Sequence, residues 1–323
     1  MPHILVAGRI HSSGVALLKQ TLGFTFDLVD EVSTASYAPL VDKADGLLIR
    51  TQPLPTEVIA KADKLKIVSR HGVGFDAVDV AALNARHIPL TIVGDVNSRS
   101  VAEHTLMLML AAGRKVVAYD TASRAGKWNI RNSFAAVELD EKLLFLLGFG
   151  RIGKAVAKLA QAFGMRVAAF DPHIEAAVMQ GLGVEFVPDI KSGLARADFL
   201  SVHMPATNGA SIIDAPELSL MKKNAILINT ARGGLIDELA LDAALREGKV
   251  AGAGLDVLLV EPPAADHPLL SNPKVTITPH AAGLTEECAE RMSVMSVQNI
   301  IDFYNGTLDP NLIVNGQRSK PQF

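Results

Sequence analysis

Leu143-Leu144-Phe145-Leu146-Leu147-Gly148-Phe149-Gly150-Arg151-Ile152-Gly153 joins five consecutive apolar residues to three spaced glycines. An unbroken apolar run of that length reads as a strand buried on both faces, the signature of a parallel sheet. A helical pattern follows, with Ile152, Val156, Leu159, Ala160 and Phe163 predicted on one face and Gly164 placed to stop it. In this setting Gly148 permits the tight strand-to-helix turn, Gly150 lets the backbone approach a pyrophosphate, and Gly153 lets helix and strand pack closely. The helix N-terminus adds free N–H groups and partial positive charge. A second predicted strand, Met165 to Phe170, ends at Asp171, eighteen residues after Gly153. That is about the spacing, roughly 20 residues, of the acid that binds an adenosine ribose. Strand, glycines, helix and acid in register predict a dinucleotide-binding unit.

Length and composition bound the rest. A chain of 323 residues exceeds one ordinary domain, so two are expected. Hydrophobic residues at 49% suffice for two cores, and aromatics at 5% make those cores mainly aliphatic. The formal net charge of −3 gives no general attraction to nucleic acid or anionic membranes, so any anion site must be a local cluster. The single cysteine, Cys288, excludes an intramolecular disulfide and a Cys-rich metal site, and its helical setting suggests a buried thiol. His3 to Ala7 is too short and too uncharged for a signal peptide, and no apolar run approaches a membrane span. The expectation is a soluble, cytoplasmic protein without a metal.

Residues 1 to about 97 alternate strand and helix patterns. Ile4–Ala7, Gly46–Ile49 before Arg50, Leu65–Ser69 before Arg70, and Pro89–Val93 read as strands. Such alternation implies a parallel, doubly wound sheet, with ligands beyond the carboxyl ends of the strands. Arg50 and Arg70 stand at two such ends, and Gly72-Val73-Gly74 forms a loop beside the second. Ser100 and Glu103 read as a capping box opening a long helix whose apolar residues, Leu106 to Ala112, run almost all the way round. That helix must be buried on several sides, between domains or against a second subunit. Further strands are predicted at Phe199–Val202, Ala225–Ile228, Val250–Leu255 and Val275–Ile277. A long helix follows about residue 284 through Met292, Met295, Ile300 and Phe303. It is expected to return to the first domain, making that domain discontinuous, and the polar tail Gln317 to Phe323 reads as frayed.

Three late strand ends carry the chemistry. Asn229 to Gly234 holds Arg232, Asp256 to Pro263 holds Glu261, and Thr278 to Gly283 holds His280. In a parallel sheet all three converge on the dinucleotide side. A guanidinium can grip a carboxylate with two hydrogen bonds and polarise the adjacent carbonyl. A histidine can protonate that carbonyl oxygen as hydride reaches the carbon, and a neighbouring carboxylate stabilises the imidazolium. Taken singly, Arg232 could be a surface charge and Glu261 a turn cap. No GxSxG, HxxEH or CxxC motif offers a competing nucleophile or metal site.

The chain resembles the D-isomer-specific 2-hydroxyacid dehydrogenase family. The resemblance runs in order through Ser100 to Thr105, Gly126-Lys127-Trp128, Leu147 to Gly153, Val202-His203-Met204-Pro205, Asn229 to Gly234, Gly254 to Val257, and Thr278 to Gly283. It implies a Rossmann-type cofactor domain, residues 98–286, inserted in a discontinuous flavodoxin-like catalytic domain, residues 1–97 and 287–323. It implies NAD as cofactor, a small 2-keto or 2-hydroxy acid as substrate, an active site in the interdomain cleft and a homodimer. By the same resemblance Arg232 holds the substrate, His280 is the acid/base and Glu261 supports it. Arg151 and Ile152 meet the pyrophosphate, Asp171 the ribose, and Asp256 the nicotinamide amide. Met204, Pro205, Thr230, Ala231, Gly283 and Val73 line the cofactor. Two departures stand out: Glu141-Lys142-Leu143 where many members have Gly-Lys-Thr, and Ala206 to Ala210 in place of the usual polar run.

Within the family, Arg50 and Arg70 to Asp76 are most similar to phosphoglycerate dehydrogenases, whose extra arginines bind a phosphate. The expectation is a form without the regulatory domain found on long forms of that enzyme. Substrate binding is therefore expected at Arg50, Arg70, Gly72, Val73 and Gly74, with 3-phosphoglycerate as the candidate acid. A glyoxylate or hydroxypyruvate reductase is the enzymatic alternative. A formate dehydrogenase is disfavoured, because Glu261 stands where those enzymes usually have glutamine. From another class, a dinucleotide-sensing corepressor would keep the same fold.

Overall fold

The computed structural model describes residues 1–206 and 209–316. The tail from Gln317, and Thr207 and Asn208 of the departing loop, lie outside the described residues. The chain packs as two units, the first made of Met1–Asn97 with the segment from Leu284, the second of Ser98–Gly283.

Unit 1 is a five-stranded parallel sheet of β1 (His3–Ala7), β2 (Thr25–Val29), β3 (Gly46–Ile49), β4 (Ile67–Arg70) and β5 (Leu90–Thr91), in the order β2-β1-β3-β4-β5. That order is flavodoxin-like. Its strands alternate between two cores: Leu5, Leu47, Ile49 and Val68 face Tyr37 and Ile59, while Ile4, Val6, Leu48 and Ile67 face Val297 and Ile300. The last two belong to the helix Glu286–Asn305, and the Thr285 side chain accepts the Cys288 N–H to cap it. Cys288 is fully buried beside Val93 and Met292.

Unit 2 is a seven-stranded parallel sheet of β6 (Leu143–Leu147), β7 (Arg166–Phe170), β8 (Glu185–Phe186), β9 (Phe199–Val202), β10 (Ile226–Asn229), β11 (Gly252–Leu255) and β12 (Val275–Ile277). The order β12-β11-β10-β9-β6-β7-β8 reverses direction at β6, giving the Rossmann arrangement. Along β6, Leu143, Phe145 and Leu147 enter one core and Leu144 and Leu146 the other. Each such burial contributes roughly 1.5–3 kcal/mol of transfer free energy, which explains the unbroken apolar run.

Several sequence expectations are corrected. The capping box is not formed: the helix begins at Ser98, so Ser100 lies inside it and its hydroxyl donates to the Ala282 carbonyl, while Glu103 pairs with Arg99. Part of the burial expected of this helix, Ser98–Gly113, is met within unit 2. The helix packs against β10, β11, β12 and the helix Arg151–Ala162. Phe163 lies just past the end of that second helix and is 47% exposed, not part of its buried face. The strand predicted at Pro89–Val93 shrinks to β5, because the C-terminal segment takes over its flanks: Leu90 N–H donates to the Asn315 side chain and Ile92 N–H to the Leu312 carbonyl. β2 and β8 went unforeseen, since they are edge strands with little apolar pattern. No helix among the described residues is long and apolar enough to cross a membrane.

Candidate active site

All strands of unit 2 are parallel, so every loop singled out in the sequence leaves one edge of the sheet. At the switch point, Gly148 has φ +97, and a Cβ there would stand 2.5 Å from the His203 carbonyl oxygen. A Cβ on Gly153 would stand 2.4 Å from the Gly148 carbonyl oxygen. Neither position tolerates a side chain, whereas Gly150 has nothing within 4 Å of its Cβ position. The twelve-residue helix that starts at Arg151 has Gly150 at its N-cap, which brings no side chain to the turn. An open approach to a helix N-terminus fits a pyrophosphate. Arg151 is exposed and Ile152 partly buried at this first turn. Asp171, just after β7, accepts the Phe149 N–H at 2.8 Å and the His173 N–H at 2.9 Å, one on each carboxylate oxygen. These bonds fix the carboxylate beside the glycine loop and leave each oxygen a further lone pair for a ribose hydroxyl. After β9, the Met204 side chain abuts Gly148, and Pro205 is exposed.

β10, β11 and β12 are neighbours, and their following loops bring Arg232, Glu261 and His280 to the same edge. The Arg232 loop is shaped by Asn229, whose side chain accepts the Ala231 N–H and donates to the Arg232 carbonyl. Gly233 lets this loop pass the next: a Cβ there would lie 2.0 Å from the Leu258 carbonyl oxygen. Thr230 is buried and shares a 2.8 Å hydroxyl bond with Thr105. Arg232 is partly buried, and one guanidinium nitrogen donates to the Ala231 carbonyl.

Glu261 and His280 meet directly, with Nδ1 2.7 Å from Oε2, and the side chains remain 36% and 48% accessible. The other Glu261 oxygen accepts the Leu258 N–H. Burial alone would raise the Glu261 carboxyl, yet the His280 hydrogen bond, the Leu258 N–H and the His280 charge hold it below its ordinary value. His280 has φ +52, a left-handed conformation uncommon for a non-glycine residue. Asp256 holds it there. Its carbonyl accepts the His280 N–H, and its carboxylate accepts the N–H groups of Ala281 and Ala282 and the Thr278 hydroxyl. The Asp256 side chain is fully enclosed, so in this structure it serves the turn carrying His280 and does not stand open to a ligand. Gly283 closes the same turn, partly buried.

In unit 1 the strand-end arginines also cluster. Arg50 Nη1 donates to the Arg9 carbonyl at 2.9 Å, and Arg70 Nη1 lies 3.4 Å from the Ile49 carbonyl oxygen. Between their strands' ends, His71 is pushed down to about 4, by burial first and then by the charges of Arg50 and Arg70. It therefore stays neutral and bonds the Ser293 hydroxyl. Burial also lowers Arg50. Gly72 and Gly74 continue this loop, and Val73 packs partly against Val93, Cys288 and Met292.

Sequence reasoning missed two contributors, Arg9 and the loop-shaping role of Asn229. Arg9 follows β1, beside β3, and makes a third arginine at this edge; a strand end followed by arginine was the available signal. His104 reaches from the helix to Thr278 at 2.9 Å and to Asp256 at 3.4 Å. Asn229 shapes the Arg232 loop, and its place at the strand end, where Asx residues bond nearby backbone, could have shown it.

Residues 106–282 match the family described as D-isomer specific 2-hydroxyacid dehydrogenase, NAD binding domain, and the chain belongs to that family. It is 40% identical over 321 residues to a D-3-phosphoglycerate dehydrogenase of Methanocaldococcus jannaschii, covering 97% of this chain and 59% of that protein. It is 36% identical over 320 residues to a glyoxylate reductase of Korarchaeum cryptofilum, covering 97% and 96%. Among solved structures it resembles the NADPH-dependent glyoxylate/hydroxypyruvate reductase of Sinorhizobium meliloti in complex with NADP and malonate, at TM-score 0.85 and 29% identity, covering 100% and 99%. The chain spans a little over half the length of the phosphoglycerate dehydrogenases it matches.

The Asp256 carboxyl links the stability of unit 2 to pH. Burial would raise it, but the bonds from His104, Thr278, Ala281 and Ala282 hold it below the ordinary value. A carboxyl depressed in the folded state stabilises above its unfolded pKa, and that stability is lost as pH falls through the folded value. Asp256→Asn should therefore cost about 1–3 kcal/mol near neutrality, from one lost acceptor and the charge-assisted bonds. The deficit should shrink in urea melts below the ordinary carboxylate range; a deficit constant with pH would show that the charge contributes nothing.

Proposed function

We propose that the protein transfers hydride between NAD(H) and a D-2-hydroxy acid or its 2-keto acid. The observation that carries this reading is the 2.7 Å His280–Glu261 pair, on loops adjacent to the one that bears Arg232. Arg232 grips the substrate carboxylate and draws electron density from the neighbouring carbonyl. His280, protonated, gives a proton to that carbonyl oxygen in reduction and takes it back in oxidation. Glu261 keeps the ring oriented through Nδ1, so that Nε2 faces the substrate, and stabilises the imidazolium. A nicotinamide dinucleotide, when bound, supplies or accepts the hydride. Gly148, Gly150, Gly153, Arg151 and Ile152 would hold its pyrophosphate and Asp171 its ribose, with Met204, Pro205, Thr230, Ala231, Gly283 and Val73 as further lining. Asp171 favours NAD over NADP, since its carboxylate repels a 2′-phosphate and Pro172 and His173 provide no arginine to offset it.

The pair should reveal itself through pH. Glu261→Gln can keep the Leu258 contact but removes the imidazolium's counter-charge. Keto-acid reduction, which needs the protonated ring, should then fail at lower pH than in the parent. Oxidation, which needs the neutral ring, should persist to lower pH. Profiles unchanged in both directions would take Glu261 out of the mechanism.

For the substrate, the arginine cluster around neutral His71 supports an acid with a second, distal anion, of which phosphohydroxypyruvate is the candidate. A nearly neutral chain concentrates positive charge here, and Gly72, Val73 and Gly74 form the accompanying loop. Removing one charge-assisted contact should cost about 1.5–3 kcal/mol, or roughly ten- to a hundredfold in kcat/KM. Arg70→Ala and Arg50→Ala, assayed with NADH and NADPH, should lose that much on phosphohydroxypyruvate and little on glyoxylate. Equal losses on both acids would make these arginines structural. A parent that reduces only glyoxylate or hydroxypyruvate would establish the reductase alternative. A parent that binds NADH tightly yet turns over no keto acid would favour a dinucleotide sensor.

The chain also pairs with a second copy in this reading. Met107, Val116 and Phe163, each 40–51% exposed, surround an apolar groove on the helix Ser98–Gly113. Sedimentation at micromolar concentration should give a dimer, and a monomer under those conditions would overturn the pairing.

A further inference from the structure

The opposite edge of the unit 2 sheet carries a feature that the proposed reaction does not use. Where β10, β11 and β12 begin, a cavity of about 500 Å³ opens, lined by Ile226, Ala251 and Val275 at the amino ends of those strands. It stands a strand's length, roughly 10–13 Å, from the edge that holds Arg232, Glu261 and His280. Among the described residues Lys115, Lys223 and Lys274 line it and no Asp or Glu does, and the Lys274 ammonium already donates to the Leu245 carbonyl. In a chain whose acids outnumber its bases, three lysines without a carboxylate between them are a local excess.

Lys115 distinguishes this cavity from a patch of solvated lysines. Its side chain is partly buried, and its ammonium reaches in against the sheet, 3.7 Å from where a Cβ on Gly252 would stand. Burial first, and the charge of Lys274 second, lower it from the usual lysine value. Its backbone is left-handed, φ +55, at the joint between the helices Ser98–Gly113 and Val116–Arg124. Glycine or asparagine takes that conformation most easily. A lysine there accepts an unfavourable backbone and sends a charged group into a partly desolvated space, where it repels a second charge. The remaining walls are mainly apolar, with Ala112, Val137 and Val250, and Asn224 and Thr276 add neutral polar groups. An anion that bridges the ammonium groups would relieve their repulsion, and a compact carbon frame would cover the apolar wall.

We propose that this cavity is a second anion site, which binds a small organic anion bearing at least two negative groups, either a polycarboxylate or a phosphate ester. The site is independent of the proposed dehydrogenase reaction, and its test reads binding and not turnover.

Calorimetric titration of the full chain with citrate, glycerol 3-phosphate and acetate tests it. At least one of the first two should bind, with acetate tenfold or more weaker. Citrate alone would identify a polycarboxylate site, and glycerol 3-phosphate alone a phosphate-ester site. Lys115→Gln/Lys274→Gln should weaken that binding at least tenfold and leave NADH binding unchanged, whereas Arg70→Ala should leave the anion affinity intact. Lys115→Gly guards against misfolding: it relieves the backbone and removes the charge, so it should lose affinity without losing thermal stability. Binding of neither anion by the parent overturns the proposal. So does binding that survives the lysine substitutions or disappears with Arg70→Ala.

Discussion

Asp256 sits where the chemistry of unit 2 is most exposed to small errors. His280 occupies a left-handed backbone conformation, and such a residue persists only where its surroundings over-determine it. One aspartate does this with both its carbonyl and its carboxylate, taking N–H groups from three consecutive residues, His280, Ala281 and Ala282. The charge it buries is balanced by these donors and by the Thr278 hydroxyl, with His104 behind them. Because the turn is held from behind, the ring of His280 is left to Glu261 and to solvent. Depth separates the two acids: the enclosed one builds the loop, and the accessible one faces the histidine.

The sheet supplies the rest of the organisation. Parallel strands send all their following loops to one edge, so residues far apart in the chain share a side without any long-range design of individual loops. Close backbone approach then does the fine positioning. The His203 carbonyl crowds Gly148, and the Leu258 carbonyl crowds Gly233, so the loops after β6 and β9, and after β10 and β11, are pressed together in pairs. Side chains such as Asn229 close what remains.

Charge is distributed with the same economy. Unit 1 gathers arginines at its carboxyl edge around a histidine kept neutral by burial and by their field. Unit 2 gathers lysines at the amino edge of its sheet around an apolar cavity. In a chain of net charge −3, both clusters are local departures from the average, and each is built from groups whose hydration is partly removed. Partial desolvation makes such charges more responsive to an anion than the same groups fully in water.

By itself the sequence determined the fold class of both units, the glycine turn at β6, and the Arg232, Glu261 and His280 loops. These signals are local: a doubly buried strand must be continuously apolar, and a tight turn against another backbone must be glycine. The helix Ser98–Gly113 was read correctly as buried, but its N-terminus was not, because the Ser100 hydroxyl has a better partner in the Ala282 carbonyl, 182 residues away. Edge strands β2 and β8 escaped notice because one exposed side erases the apolar pattern. Only the tertiary structure could decide that Asp256 is enclosed, that the Arg9 carbonyl accepts the Arg50 guanidinium, and that Lys115 turns into a cavity with Lys274. Each of those facts depends on which strands are neighbours and how deeply a side chain is covered, and neither is carried by the spacing of residues along the chain.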